Sequence, residues 1–121
     1  MNQELSNQVA LVTGGSRGIG RAISVALGQD GAKVAVNYVH DDAAARSTLS
    51  EIEGAGGSGA TYQADVANEA AVKKMVIDIE RTLGPIETLV TSAGVMTTQN
   101  HRELTFEKYR EVMTTNVDGT F

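Results

Sequence analysis

One stretch, Val9-Ala-Leu-Val-Thr-Gly-Gly-Ser-Arg-Gly-Ile-Gly20, constrains the fold more than any other part of the chain. Its apolar start fits a buried strand and its glycines fit a tight turn. The residues beyond follow a helical pattern, with Ile19, Ile23, Ala26 and Leu27 on one face. A strand, a glycine turn and a helix N-terminus, in that order, form a site for an anion, above all a phosphate. The N–H groups of the first helical turn lack intrahelical partners, and the macrodipole adds partial positive charge there. Glycine lets the main chain approach a ligand closely and adopt positive φ at no steric cost.

Three chemistries use such a turn. A P-loop would employ Gly15 and Gly20, but Arg21 and Ala22 stand where the phosphate-binding Lys and the magnesium-binding Ser or Thr are required. A nucleophile elbow matches Gly14-Gly15-Ser16-Arg17-Gly18 literally. Ser16 would then depend on His40 or His101, the two histidines, and the elbow would follow the first strand instead of several. A dinucleotide site is the third. Gly14, Gly18 and Gly20 form T-G-x-x-x-G-x-G, a variant of the commoner G-x-G-x-x-G. The spacing favours this third chemistry.

Bulk properties narrow the class. The 121 residues suit one domain with a real core. With no cysteine there is neither a disulfide framework nor a thiolate metal site, and no metal site is expected. Met1 to Gln8 lacks the basic-then-apolar order of a secretion signal, and no apolar run approaches the roughly 18 residues of a membrane span. A formal net charge of -5 argues against nucleic-acid or anionic-membrane partners. The expectation is a soluble, cytoplasmic α/β domain.

Turn signals predict the order β-α-β-α-β-α-β-loop-α. Gly31 ends the first helix and Lys33–Tyr38 reads as a second strand. Asp41–Glu53 is a helical stretch carried by Ala45, Leu49 and Ile52, and Gly54–Gly59 a flexible loop. Ala60–Ala64 is a short third strand. Asn68 caps a helix with the apolar stripe Val72, Met75, Val76, Ile79 and Leu83, which Gly84-Pro85 ends. Ile86–Thr91 is a fourth strand, Ser92-Ala93-Gly94 a tight turn, and Thr105 caps a last helix through Tyr109, Val112 and Met113. Right-handed crossovers make this a Rossmann-type, doubly wound parallel sheet with its ligand site at the carboxyl ends of the strands.

Four separated segments carry a family resemblance across the whole chain. Thr13–Gly20 is similar to the cofactor turn of the short-chain dehydrogenase/reductase family, which places Gly14, Ser16, Arg17, Gly18, Ile19 and Gly20 against the cofactor. Asp65-Val66 resembles the pair that contacts the adenine ring. Thr91-Ser92-Ala93-Gly94 stands where the family usually shows Asn-Asn-Ala-Gly, and implies cofactor contacts for Ser92, Ala93 and Gly94. Thr115-Asn116-Val117, with Gly119 and Phe121, resembles the segment bearing the active-site asparagine, which makes Asn116 the catalytic candidate. Its usual part is structural and in proton relay. Arg17-Gly-Ile-Gly20 also resembles 3-oxoacyl-carrier-protein reductases, and sugar dehydrogenases look similar in this half.

Charge bears on which dinucleotide is bound. A free ribose 2′-hydroxyl usually meets a carboxylate at the end of the second strand, about 20 residues past the glycines. Asn37 and Tyr38 occupy that end, and Arg17 can pair with a 2′-phosphate through its planar fork. Asp41 and Asp42, a few residues on, weigh the other way. NADP(H) is favoured over NAD(H).

The resemblance also implies a proton donor that this chain does not contain. Family catalysis uses a tyrosine with a lysine four residues later, spaced so that the two share a helix face and the ammonium favours the phenolate. Four residues after Tyr38, Tyr62 and Tyr109 stand Asp42, Val66 and Met113. The catalytic serine's strand is absent too. The expectation is therefore a single NAD(P)-binding domain over residues 1–121, cut after the fourth strand and the helix that follows it, without the catalytic half. The complete enzyme would act on a small carbonyl or alcohol. The alternative is a non-catalytic dinucleotide-binding module or a fragment without turnover. With no fifth strand beside Ile86–Thr91, an apolar edge stands open, and homo-oligomerisation through that edge and the last helix is expected.

Overall fold

The computed structural model describes residues 4–96 and 99–121. Four strands, β1 (Val9–Thr13), β2 (Lys33–Tyr38), β3 (Ser58–Gln63) and β4 (Ile86–Thr91), form one parallel sheet in the order β3-β2-β1-β4. The helices are α1 (Gly18–Gln29), α2 (Asp42–Gly54), α3 (Glu69–Thr82) and α4 (Phe106–Met113), the last continuing into a π-helical turn over Thr114–Asp118. The chain moves outward from β1 to β3, then returns to place β4 on the other side of β1. That reversal opens a crevice between the carboxyl ends of β1 and β4.

Two cores flank the sheet, as the alternation of side chains along each strand requires. Val9, Leu11 and Ala35 pack with Ala64, Met75 and Ile79 beneath α3. Ala10, Val12, Val34 and Val36 pack on the opposite face with Ile52, flanked by Ile23 and Leu27. Central strands β1 and β2 therefore read as nearly continuous apolar runs, the pattern of parallel strands covered on both faces.

The register of α1 differs from the sequence expectation. Its buried line is Gly20, Ser24 and Gly28, while Ile19 is 77% exposed and Ala26 is exposed as well. Ile23 and Leu27 flank that line. The small residues let the helix approach closely: a Cβ on Gly28 would lie 2.7 Å from Ile52 Cγ2. A glycine carries no hydropathy signal, so the periodicity of the large side chains indicated a face rotated from the true one.

Two boundaries shift for a similar reason. Strand β3 begins at Ser58 and ends at Gln63, so part of the expected flexible loop pairs with β2. A Cβ on Gly59 would run into the Val34 carbonyl, so a residue that looks like a loop signal permits the pairing. The final helix is interrupted: the Gly119 N–H reaches back to the Thr114 carbonyl at 2.9 Å, closing a wider turn around Asn116. The caps behave as expected. Asn68 accepts from the Ala71 N–H and Thr105 from the Lys108 N–H.

Candidate active site: a cleft at the strand ends

The turn after β1 is held by buried side chains from four directions. Gly14 has φ of +61°, and a Cβ there would lie 2.7 Å from Ala93 Cα, so only glycine lets the β1 and β4 turns pass each other. The Gly14 N–H donates to Asn37 Oδ1 at 3.1 Å, and the Gly15 N–H to the Asn37 carbonyl at 2.9 Å. Ser24, fully buried on α1, donates its hydroxyl to the Gly15 carbonyl at 3.1 Å. Thr48, fully buried on α2, places its hydroxyl 3.0 Å from the Ser16 carbonyl and 2.9 Å from that of Ala44, which share its one proton. Thr13 Oγ1 accepts from the Ser92 and Ala93 N–H groups at 3.1 and 3.3 Å, tying β1 to the turn after β4. These bonds fix the path of the turn.

The start of α1 is left open. Arg17 is its N-cap but makes no side-chain capping bond, and the first turn holds no acidic residue. The other three α-helices are each capped by a side-chain oxygen, from Asp41, Asn68 or Thr105. The N–H groups of Gly18, Ile19 and Gly20 thus precede the first helical bond, Arg21 N–H to the Arg17 carbonyl, with no side chain capping them. Gly20 is needed because a Cβ would meet the Gly14 carbonyl.

Beside this helix end lies a cleft of about 350 Å³. Of the expected site residues, Gly14, Ser16, Arg17, Asn37, Tyr38, Asp65, Val66, Ser92, Ala93 and Gly94 line it. Gly18, Ile19, Gly20 and Asn116 do not. Asn37 was expected as a cofactor contact, but its side chain is fully buried and both amide protons are engaged, with the Ala64 carbonyl at 3.0 Å and the Tyr62 carbonyl at 3.3 Å. It builds the cleft floor. Asp65 closes a turn by accepting the Ala67 N–H at 2.9 Å while also lining the cleft, so structural and site roles coincide. Asn116 grips the main chain of Val95 from behind the wall through both ends of its amide.

Sequence reasoning missed the buried hydroxyls of Thr13, Ser24 and Thr48, and the wall residues Val39, His40, Val95, Glu111 and Thr115. Val39 and His40 follow β2 directly, so the rule that ligands bind beyond strand ends was the available signal. For Ser24 and Thr48 the signal was weaker: polar residues on the helix line where apolar ones were expected.

Residues 8–121 match the family model described as short chain dehydrogenase. The chain belongs to the short-chain dehydrogenase/reductase family. It is 38% identical over 120 residues to versicolorin reductase 1 of Aspergillus parasiticus, covering 99% of this chain and 46% of the relative. It is 42% identical over 114 residues to the acetoacetyl-CoA reductase of Paracoccus denitrificans, covering 94% and 45%. Among solved structures it resembles a short chain dehydrogenase of Burkholderia cenocepacia in complex with NADP, with TM-score 0.89, 36% identity, and coverage of 95% of this chain and 47% of that one. The chain spans about half the length of the relatives it matches.

Within this chain, the carboxylates near the cleft are largely engaged. Asp41 Oδ1 accepts the Ala44 N–H at 2.9 Å as the cap of α2. Asp42 accepts the Tyr38 hydroxyl at 2.6 Å and pairs with Arg46 at 2.9 Å. By contrast, the Arg17 side chain makes no hydrogen bond or ion pair among the described residues, so its guanidinium is available to an anion. No group of three His, Cys, Asp or Glu side chains suited to a metal ion occurs among the described residues, and no helix there is long and apolar enough to cross a membrane.

Proposed function

We propose that this chain is the cofactor-binding half of an NADP(H)-dependent oxidoreductase that reduces carbonyls or oxidises secondary alcohols. The observation that carries the reading is the uncapped, acid-free start of α1 beside the cleft, with the Arg17 side chain, unpaired among the described residues, at its edge. The residues fit a dinucleotide: the Gly14–Gly20 backbone forms a cradle that a Cβ would fill, and its helix end attracts a pyrophosphate. Gly14, Ser16 and the first turn of α1 would hold the pyrophosphate, Asp65 and Val66 the adenine, Arg17 a 2′-phosphate, and Ser92, Ala93 and Gly94 the nicotinamide ribose. When bound, the dinucleotide supplies or accepts the hydride.

This chain's own part is positioning. The buried hydroxyls of Thr13, Ser24 and Thr48 and the Asn37 amide fix the cradle, so binding need not order it. Asn116 sets the wall behind the nicotinamide end. A small ketone or secondary alcohol is the proposed substrate class, with 3-oxoacyl thioesters the specific candidate; acetoacetyl-CoA reductase among the relatives supports it. Cytoplasmic location is part of the same proposal.

The second reading, a dinucleotide-binding module without turnover, rests on the lack of a Tyr-x-x-x-Lys pair in these residues. Calorimetric titration with NADPH, then mixing with a generic ketone while following NADPH absorbance, tests both. Saturable binding without ketone-dependent oxidation is expected of this chain. Oxidation would assign the proton donor to another residue, and failure of a folded chain to bind either dinucleotide would remove the cofactor reading.

Self-association is proposed as well. Strand β4 is a sheet edge with Leu89 58% exposed, and α4 buries no residue while presenting Phe106, Tyr109 and Met113. Light scattering at high concentration should show oligomers; a monodisperse monomer would count against it.

A further inference from the structure

We propose that Tyr38 acts as a specificity-determining positioning residue: it turns the Asp42 carboxylate away from the ribose end of the cleft, and so lets the site accept a 2′-phosphate. The inference rests on the dinucleotide reading of that cleft. Strand β2 delivers Tyr38 to the cleft wall, and Val39, His40 and Asp41 continue the wall to the start of α2. Asp42 is the first residue of that helix. Its two carboxylate oxygens have different partners, Oδ1 the Tyr38 hydroxyl at 2.6 Å and Oδ2 the Arg46 guanidinium at 2.9 Å. A hydroxyl on a carboxylate at this length is a charge-assisted bond, which fixes the acceptor's direction.

A carboxylate free to turn at this end of a dinucleotide cleft binds a ribose 2′-hydroxyl and repels a 2′-phosphate. Two acidic residues follow β2 here, and both are restrained. Asp41 is tied into the cap of α2. Asp42 is the one whose restraint depends on a cleft-wall side chain. The charged and titratable groups around Tyr38 in the cleft are Arg17, His40, Asp41, Asp65 and Glu111, with Asp42 and Arg46 behind it. Acceptance of its proton by Asp42 raises the Tyr38 pKa, so the phenol remains a donor throughout the neutral range.

The test is a cycle of Tyr38→Phe, Asp42→Asn and the double variant, each checked for native circular dichroism. Dissociation constants for NADPH and NADH, and for the probes adenosine 2′,5′-bisphosphate and 5′-AMP, are measured at fixed ionic strength. Tyr38→Phe should lower the NADPH-to-NADH affinity ratio by roughly three- to tenfold, the scale of one partly exposed charge. The double variant should return the ratio to the wild-type value or above it, because no carboxylate remains to be released. An unchanged ratio in Tyr38→Phe overturns the inference. So does a loss that Asp42→Asn does not restore, which would mean that the phenol itself binds the phosphate. If the folded wild-type chain binds neither dinucleotide, the underlying cofactor reading fails, and that result is distinct from a failure of the latch alone.

Discussion

Asn116 holds both main-chain polar groups of Val95: its Oδ1 accepts the N–H at 2.8 Å and its Nδ2 donates to the carbonyl at 2.8 Å. A side chain in the π-helical turn after α4 thereby fixes the wall of the cleft after β4. Gly94 leaves room for the amide, since a Cβ there would lie 3.2 Å from Asn116 Oδ1. Asn116→Ala should cost about 1 kcal/mol of stability, the usual net worth of exposed hydrogen bonds, and should weaken NADPH binding several-fold. Asn116→Asp, which keeps only the acceptor, should fall between. Urea denaturation and calorimetry read the two effects separately, and an unchanged affinity in Asn116→Ala would show that the clamp does not shape the site.

Asn37 is the more severe case. Replacing it with Ala leaves the Gly14 N–H and the Ala64 carbonyl without their partner, in a region where Asn37 itself is fully buried. Each orphaned group costs about 1–3 kcal/mol, so Asn37→Ala should lower the unfolding free energy by several kcal/mol in a urea titration. Asn37→Asp should be no better, because it turns an acceptor toward the Ala64 and Tyr62 carbonyls. A mild effect in either would place water where the amide now lies.

Gly14 and Gly18 separate steric need from backbone strain. Both have positive φ, +61° and +55°, but a Cβ on Gly14 would meet the Ala93 backbone, whereas a Cβ on Gly18 has nothing within 4 Å. Gly18→Ala should therefore cost about 1–2 kcal/mol for the left-handed conformation alone. Gly14→Ala should cost more and displace the turn after β4. Thermal melts rank the two; equal losses would show that the close approach to Ala93 relaxes freely.

Tyr62 is expected to gain from losing a group. Its hydroxyl is buried and has no hydrogen-bond partner among the described residues. Burying an unpaired hydroxyl is unfavourable, so Tyr62→Phe should be neutral or stabilising by about 1 kcal/mol. A clear loss in chemical denaturation would indicate a bound water at that oxygen.

The Tyr38–Asp42 bond has a pH signature with a definite sign. The folded pKa of Tyr38 is raised above the ordinary tyrosine value, first by the hydrogen bond to Asp42 and then by desolvation. The folded state thus holds the phenolic proton more tightly than the unfolded state. Its contribution is fully present below the unfolded pKa and is lost as pH rises through the folded one. Phenolate absorbance should show one tyrosine titrating late, and Asp42→Asn should bring it back toward the ordinary range. Late titration that survives Asp42→Asn would assign the shift to burial.

Much of this architecture was legible along the chain. Four strands, the caps at Asn68 and Thr105 and the glycine turn follow from local rules, because hydropathy period and capping chemistry act over a few residues. Less legible was everything that glycine or a buried polar group does by contact. Ile19 looked like a core residue and is exposed, while Gly20, Ser24 and Gly28 form the true contact line. The start of β3 was hidden because Gly59 is a loop residue by composition and a strand residue by proximity to Val34.

The amino-acid order by itself determined a parallel α/β sheet, the glycine-rich turn after β1 and the absence of a Tyr-x-x-x-Lys pair, since each depends on residues close together in the chain. Tertiary structure decided which of those residues remain available to a ligand. Asn37, Asp41 and Asp42 all lie near the cleft, yet each is bonded, to Gly14, to Ala44, and to Tyr38 and Arg46 respectively, while the Arg17 side chain is unpaired among the described residues. The Asn37–Gly14 bond joins residues 23 apart and exists only once β1 and β2 are paired, while the bonds of Asp41 and Asp42 span three or four residues and depend on how the chain turns from β2 into α2.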